Sequence, residues 1–312
     1  MKRVLIISDV HANLLALDAI QRQLVDEPLD AVWFLGDAVG YGPYPDLTLE
    51  TLADLLGAPG TQSQSSDHVW LAGNHDWALI GRGLSRDRQL SPEAAGSHVI
   101  HQQSVPLTCP EFVSALQTGA LPTCQPAPYA GVWLAHACYT NTSDDERRAM
   151  MLWQYPRYEA EVEKYVYLEN YETWTQHGTV SGPLLTCAGH WHARALHRRH
   201  LTAPQALQNG MVSDAPWTRM PISEEWQSFE PGYIYHLNPG SVGFPVDSDG
   251  RPSYTLLEWD ERPQRVRFGF VRRSEYDIEA VRAELTRLGY PEAIASKKLL
   301  NCTDFQADPI RH

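Results

Sequence analysis

The chain has 312 residues, and its 25 Lys and Arg against 38 Asp and Glu leave a formal net charge of −13. Hydrophobic residues at 43% and charged residues at 20% match ordinary globular chains, which excludes wholesale disorder and allows one large core. The acidic balance, with no block of Lys and Arg, excludes strong sequence-independent binding to nucleic acid or anionic membrane as the main activity, but not a compact anion held by local charge.

The predicted elements alternate from the start. Lys2 and Arg3 precede the apolar run Val4 to Ile7, which reads as a buried strand and is too short for a signal-peptide core. Leu14 to Val25 carries apolar residues at helical spacing behind the capping residue Asn13. A second strand follows at Ala31 to Leu35, a helix at Asp46 to Leu56 and a third strand at Val69 to Ala72. Repeated βαβ units of this kind give parallel strands with right-handed crossovers, hence an α/β fold. Further helices are expected at Pro92 to Gln103, Glu111 to Gln117 and Arg157 to His177, and strands at Val132 to Ala135 and Leu184 to Ala188. The stretch 201–231 lacks periodicity, carries Pro204, Pro216, Pro221, Trp217 and Trp226, and reads as a surface insertion, either a lid or a stapled loop. Tyr233 to Leu237, Ser253 to Trp259 and Arg265 to Val271 alternate as antiparallel strands do, and Asp277 to Leu288 closes as an amphipathic helix. No apolar run approaches the roughly 20 residues a membrane helix needs. Cys109, Cys124, Cys138, Cys187 and Cys302 are odd in number and lack a CxxC pair, so a cytoplasmic, disulfide-free chain is expected.

Polar residues fall at the ends of these strands. The first runs into Ser8, Asp9, Val10 and His11, the second into Gly36 and Asp37, and the third into Gly73, Asn74, His75 and Asp76. Two later strands run into His136 and into Gly189, His190 and His192. In an open α/β sheet, ligands bind at the carboxyl ends of the strands. Taken singly, each piece has a plain structural reading. Asp9 can cap a turn, Gly36 and Asp37 can form one, and His136 can be a satisfied core histidine. The spacing of His190 and His192 puts both rings on one side of an extended segment, as a metal clamp would. Together, five such pieces in order point to metal chemistry. No GxGxxG follows the first strand, which weakens a dinucleotide-binding reading.

These motifs, Asp9-Val10-His11, Gly36-Asp37, Gly73-Asn74-His75-Asp76, His136 and Gly189-His190-Trp191-His192, resemble the calcineurin-like metallophosphoesterase superfamily along the whole chain. The segments GDAVGYGPYPD at 36–46 and NPGSVGFPVD at 238–247, with the closing YDIEAV helix, resemble its small prokaryotic phosphodiesterase branch. The resemblance implies two packed mixed sheets flanked by helices, in one domain over 1–312. It also implies two metal sites, one of Asp9, His11 and His192 and one of Asn74, His136 and His190, bridged by Asp37. Four imidazoles, two carboxylates and an amide suit two divalent transition ions, Mn, Fe, Co, Ni or Zn. By the same resemblance a metal-bridging hydroxide attacks a small phosphate ester, a diester in preference to a monoester, and His75 protonates the leaving oxygen. Asp76 either orients His75 or caps a helix. Tyr41 and Tyr44 either stack on substrate or pack the loop, and Asn238-Pro239-Gly240 either borders the site or connects the sheets. The alternatives are a phosphomonoesterase, such as a protein or nucleotide phosphatase, or a non-catalytic scaffold on the same fold. Two departures from the family pattern, Ala137 after His136 and Trp191 inside the last motif, concern the substrate pocket and remove no ligand.

Overall fold

The computed structural model describes residues 1–61, 67–86, 88–129, 131–138, 152–153, 184–200, 217–247, 249–259 and 264–294. The helix expected at Arg157 to His177 and the first half of the 201–231 insertion lie outside these residues.

The N-terminal half runs β1 (Lys2–Ile7), α1 (Leu14–Gln23), β2 (Ala31–Phe34), α2 (Pro45–Leu56), β3 (Val69–Trp70) and α3 (Asn74–Leu79). It continues through α4 (Pro92–Thr108), α5 (Pro110–Thr118), β4 (Cys124–Pro126) and β5 (Val132–Ala135). Then come β6 (Leu184–Ala188), β7 (Arg194–His200), β8 (Thr218–Arg219), β9 (Gln227–Ser228) and β10 (Tyr233–Pro239). The C-terminal part adds β11 (Ser253–Trp259), β12 (Arg265–Phe270) and α6 (Ile278–Arg287).

Two six-stranded sheets result, ordered β3-β2-β1-β11-β12-β9 and β4-β5-β6-β10-β7-β8. Both are mixed. β1, β2 and β3 pair in parallel, as the βαβ pattern requires, while β11 joins β1 antiparallel. In the second sheet β5, β6 and β10 are parallel, and β7 runs antiparallel to β10.

Alternation along β1 divides the core. Val4 and Ile6 enter the layer between the sheets with Trp33, Leu35, Leu134, Cys187, Tyr235 and Leu237. Leu5 and Ile7 enter the layer under the helices with Leu17, Ile20, Phe34, Leu52 and Trp70. A strand buried on both faces has no polar alternation to show, which is why Val4 to Ile7 reads as a continuous apolar run. Each fully buried Leu, Ile or Phe side chain contributes about 1.5–3 kcal/mol.

Helix termini follow their sequence signals. Asn13 caps α1 by accepting from the Ala16 amide at 3.3 Å, and Asp277 caps α6 through Ala280 at 2.9 Å. α4 continues to Thr108, past the expected end at Gln103 and through Pro106. The described half of the 201–231 excursion departs from a free loop. β8 extends the second sheet against β7, and β9 extends the first against β12. Trp226 lies under the guanidinium groups of Arg3, Arg265 and Arg267 at 5.8, 4.7 and 4.9 Å, which staples this segment to the sheet edge. Cys109, Cys124, Cys138 and Cys187 carry no disulfide, and Cys302 is outside the described residues. No described helix is long and apolar enough to cross a membrane.

Candidate metal centre

The chain leaves β1, β2 and β3 at one edge of the first sheet and β5 and β6 at the facing edge of the second, so the five motif segments converge. Amide bonds zip the loops together: Asp9 N donates to Gly36 O at 2.9 Å, His11 N to Asp37 O at 3.0 Å and Ala12 N to Ala38 O at 2.8 Å. Asp9, His11, Asp37, Asn74 and His136 are completely or almost completely buried.

Turning a side chain back over a strand end requires unusual backbone. Asp9, His11, Asp37, His190 and His192 all hold left-handed conformations, with φ of 54°, 49°, 59°, 63° and 58°. Each such residue costs on the order of 1–3 kcal/mol, and such strain persists where surrounding bonds fix it. This geometry also corrects the extended clamp expected for His190 and His192. Both sit in a left-handed turn, and their rings serve different clusters.

One cluster is Asp9, His11 and His192, the other Asp37, His136 and His190, each with its donor atoms within 4.8 Å of one another. In the first, His192 Nε2 lies 3.4 Å and His11 Nε2 3.9 Å from Asp9 Oδ1. In the second, Asn74 Oδ1 is 3.0 Å from His136 Nε2. Asp37 divides its carboxylate. Oδ1 accepts the His75 amide at 2.8 Å, while Oδ2 lies 3.4 Å from His136 Nε2 and 3.7 Å from His11 Nε2, within reach of both clusters.

The chemistry of the donors fits a metal. His11 Nδ1 faces the Val39 carbonyl at 2.9 Å, His192 Nδ1 the Phe244 carbonyl at 2.8 Å and His136 Nδ1 the Leu35 carbonyl at 2.8 Å. A carbonyl only accepts, so each ring carries its proton on Nδ1 and, when neutral, a lone pair on Nε2. His11 Nε2 and His192 Nε2 then face each other at 3.0 Å, and His136 Nε2 faces the Asn74 carbonyl oxygen. Acceptors aimed at acceptors need a cation between them. The electrostatics agree. Burial would raise Asp9, but His192, His136 and His11 hold its carboxyl well below the usual range. Burial would lower His136, but Asp37 and Asp9 lift it to about 9. Burial and the neighbouring His136 push His190 down. The carboxylates thus favour positive charge here, a proton or a metal ion in its place.

Asp76 resolves as a clamp. Its carboxylate accepts from Asp37 N at 2.8 Å, Gly73 N at 2.9 Å, Ala38 N at 2.9 Å and Val39 N at 3.2 Å, tying the loop after β2 to the start of α3. Its contacts are with the backbone, not with the His75 ring. His75 is only 6% exposed, and its ring packs against His11 and Tyr41 at centroid distances of 4.9 and 4.8 Å. Tyr41 therefore packs the loop, and Tyr44 is the residue before α2. Asn238 borders the site: it donates to Gly189 O at 2.7 Å and fixes the turn that carries His190. Ser241 Oγ, in the 238–247 segment, donates to Asp9 O at 2.8 Å, a role the sequence did not assign to it. Gly189 permits this approach of the two sheets, since a Cβ there would meet Ser8 Oγ at 1.8 Å.

Comparison with known proteins identifies the family. Over 308 residues the chain is 23% identical to Uncharacterized protein MJ0912 of Methanocaldococcus jannaschii, covering 95% of this chain and 97% of that protein. A solved metallophosphoesterase from Sphaerobacter thermophilus matches at 28% identity and a TM-score of 0.61, over 96% of this chain and 98% of that one. Hypothetical protein PH1004 from Pyrococcus horikoshii OT3 shares the fold at 14% identity and a TM-score of 0.58, over 95% and 96%. The family model for calcineurin-like phosphoesterases matches residues 2–219, a span that contains every strand-end motif, and the chain belongs to that family of metal-dependent hydrolases.

Proposed function

We propose that the chain is a dinuclear phosphoesterase that hydrolyses small phosphodiesters. The observation that carries this reading is Asp37, whose Oδ2 reaches toward both clusters while Oδ1 is fixed by the His75 amide. Asp9, His11 and His192 would hold one divalent ion, Asn74, His136 and His190 the other, and Asp37 both. Manganese, iron, cobalt, nickel or zinc suits these donors better than magnesium or calcium, which favour oxygen shells. When bound, such ions neutralise charge on the phosphoryl oxygens and make water acidic enough to react near neutral pH.

The chain's own residues supply the rest. Water attacks phosphorus opposite the leaving oxygen and loses a proton to solvent. As the P–O bond breaks, the leaving oxygen takes the Nε2 proton of His75, and the ring regains one from water. A diester is favoured on the resemblance of residues 36–46 and 238–247 to the phosphodiesterase branch. The same reading places the enzyme in the cytoplasm, on the cysteine pattern of the sequence.

The test compares bis(p-nitrophenyl) phosphate with p-nitrophenyl phosphate on manganese-loaded protein, with His75→Ala alongside. Faster diester turnover, and a loss of about 10²–10⁴-fold in His75→Ala on esters of basic leaving groups with both ions retained, is expected. Monoester preference would move the assignment to the phosphatases. Absence of metal and of hydrolysis would leave only the scaffold.

A further inference from the structure

α4 carries two buried histidines one turn apart, His98 and His101, outside every motif. Their spacing puts both on one face of the helix. His101 locks that face onto the loop after β2. Its Nδ1 accepts the Gly40 amide at 3.2 Å, so its Nε2 carries the proton that reaches the Gly42 carbonyl at 3.0 Å and the Tyr290 hydroxyl at 2.9 Å. One turn earlier, His98 Nε2 lies 3.0 Å from His75 Nδ1, with the ring planes 21° apart. Gly40 leaves room for this pair. A Cβ there would stand 2.7 Å from His75 Nδ1, and its φ of +95° disfavours any side chain. Asp76, the carboxylate beside His75 in sequence, is committed to four amides.

We propose that His98 is the positioning residue for His75, accepting the His75 Nδ1 proton at Nε2 and thereby aiming the opposite nitrogen of the His75 ring at the leaving oxygen. The inference rests on the reading of His75 as the acid. In the charged form both His75 nitrogens carry protons, so this contact requires a neutral His98. Burial, with His101 nearby, pushes His98 down to about 3, which keeps it neutral over the working range. When the Nε2 proton of His75 passes to the leaving oxygen, the Nδ1 proton stays bonded to His98 and the ring orientation is retained for the next cycle.

The test uses His98→Phe, which keeps a ring but no acceptor, and His98→Gln, whose carbonyl can replace Nε2. Manganese-loaded proteins are assayed on bis(p-nitrophenyl) phosphate and on methyl phenyl phosphate, whose leaving groups are weakly and strongly basic. Metal content is measured in each. Nitrogen-15 histidine spectra of the zinc-loaded proteins report the His75 Nδ1 proton without turnover. His98→Phe should keep both ions, lose at least about tenfold more activity on methyl phenyl phosphate than on the nitrophenyl ester, and lose the protected His75 Nδ1–H signal. His98→Gln should restore both readouts. His98→Leu repeats the comparison if the phenylalanine variant does not fold. Equal losses on the two esters in His98→Phe, with His75→Ala still selective, would overturn the positioning role alone. If His75→Ala is itself unselective, the acid reading fails. The nitrogen-15 signal then decides His98 separately, its loss in His98→Phe supporting the contact and its persistence overturning it.

Discussion

Replacing Asp76 by Asn keeps the size of the side chain but turns one acceptor oxygen into an NH2 group. In the wild-type chain Oδ2 receives the amides of Asp37 and Gly73, and Oδ1 those of Ala38 and Val39. Whichever oxygen is replaced, two buried N–H donors then face another donor. A hydrogen bond to a charged group contributes about 1.5–3 kcal/mol, so two lost bonds set a gross cost of roughly 3–6 kcal/mol. Burial and the Asp37 charge act against the Asp76 carboxylate and push its pKa up, so removing the charge returns part of that cost. A net loss of about 3 kcal/mol follows, a large share of the roughly 5–15 kcal/mol that holds a typical domain. Urea titration of metal-free protein at pH 8 measures it. Because the clamp fixes the backbone of Asp37, metal affinity should fall as well. An Asp76→Asn midpoint within about 0.5 kcal/mol of wild type, with unchanged metal affinity, would refute the clamp.

Two further outcomes follow from other parts of the structure. Trp226→Ala removes the platform under Arg3, Arg265 and Arg267 and should cost about 1.5–3 kcal/mol at roughly 0.5–1 kcal/mol per cation–π contact, with kcat and KM unchanged; a changed KM would instead make this segment a lid. His101, lowered to about 4 by burial, is neutral in the folded state at pH values where the unfolded chain, with its ordinary pKa near 6.5, takes up a proton. The unfolded state therefore binds more protons between pH 6.5 and 4, and stability should fall as pH falls through that window, by at most about 3 kcal/mol from this group. Urea titrations at pH 7, 5.5 and 4.5 should show a slope that flattens in His101→Gln, and an identical slope in that variant would reject the assignment.

The first sheet was largely legible because its signals are local. β1 and β2 are apolar runs buried on both faces, α1 and α6 carry capping side chains, and each motif residue sits where a strand ends. β7 was missed because Arg194, His197, Arg198, Arg199 and His200 hide the alternation, and only Leu196 of this strand enters the core between the sheets. β4, β8 and β9 are two or three residues long and take their form from their partners. Within the centre, the spacing of His190 and His192 pointed to one extended clamp, whereas both residues take left-handed backbone and their rings enter different clusters, a division that the family resemblance implied and the spacing alone did not. The roles of Asp76, Ser241 and His98 depend on contacts between segments, 23 residues apart for His98 and His75 and 232 for Ser241 and Asp9, that no spacing rule within one segment can show.

Crystals soaked with manganese and measured for anomalous scattering would show whether a pair of ions shares Asp37. Two peaks about 3.5–4 Å apart are expected. One should touch Asp9, His11 and His192, the other Asn74, His136 and His190, with Asp37 contacting both. A single peak, or a second one that Asp37 does not touch, would contradict it.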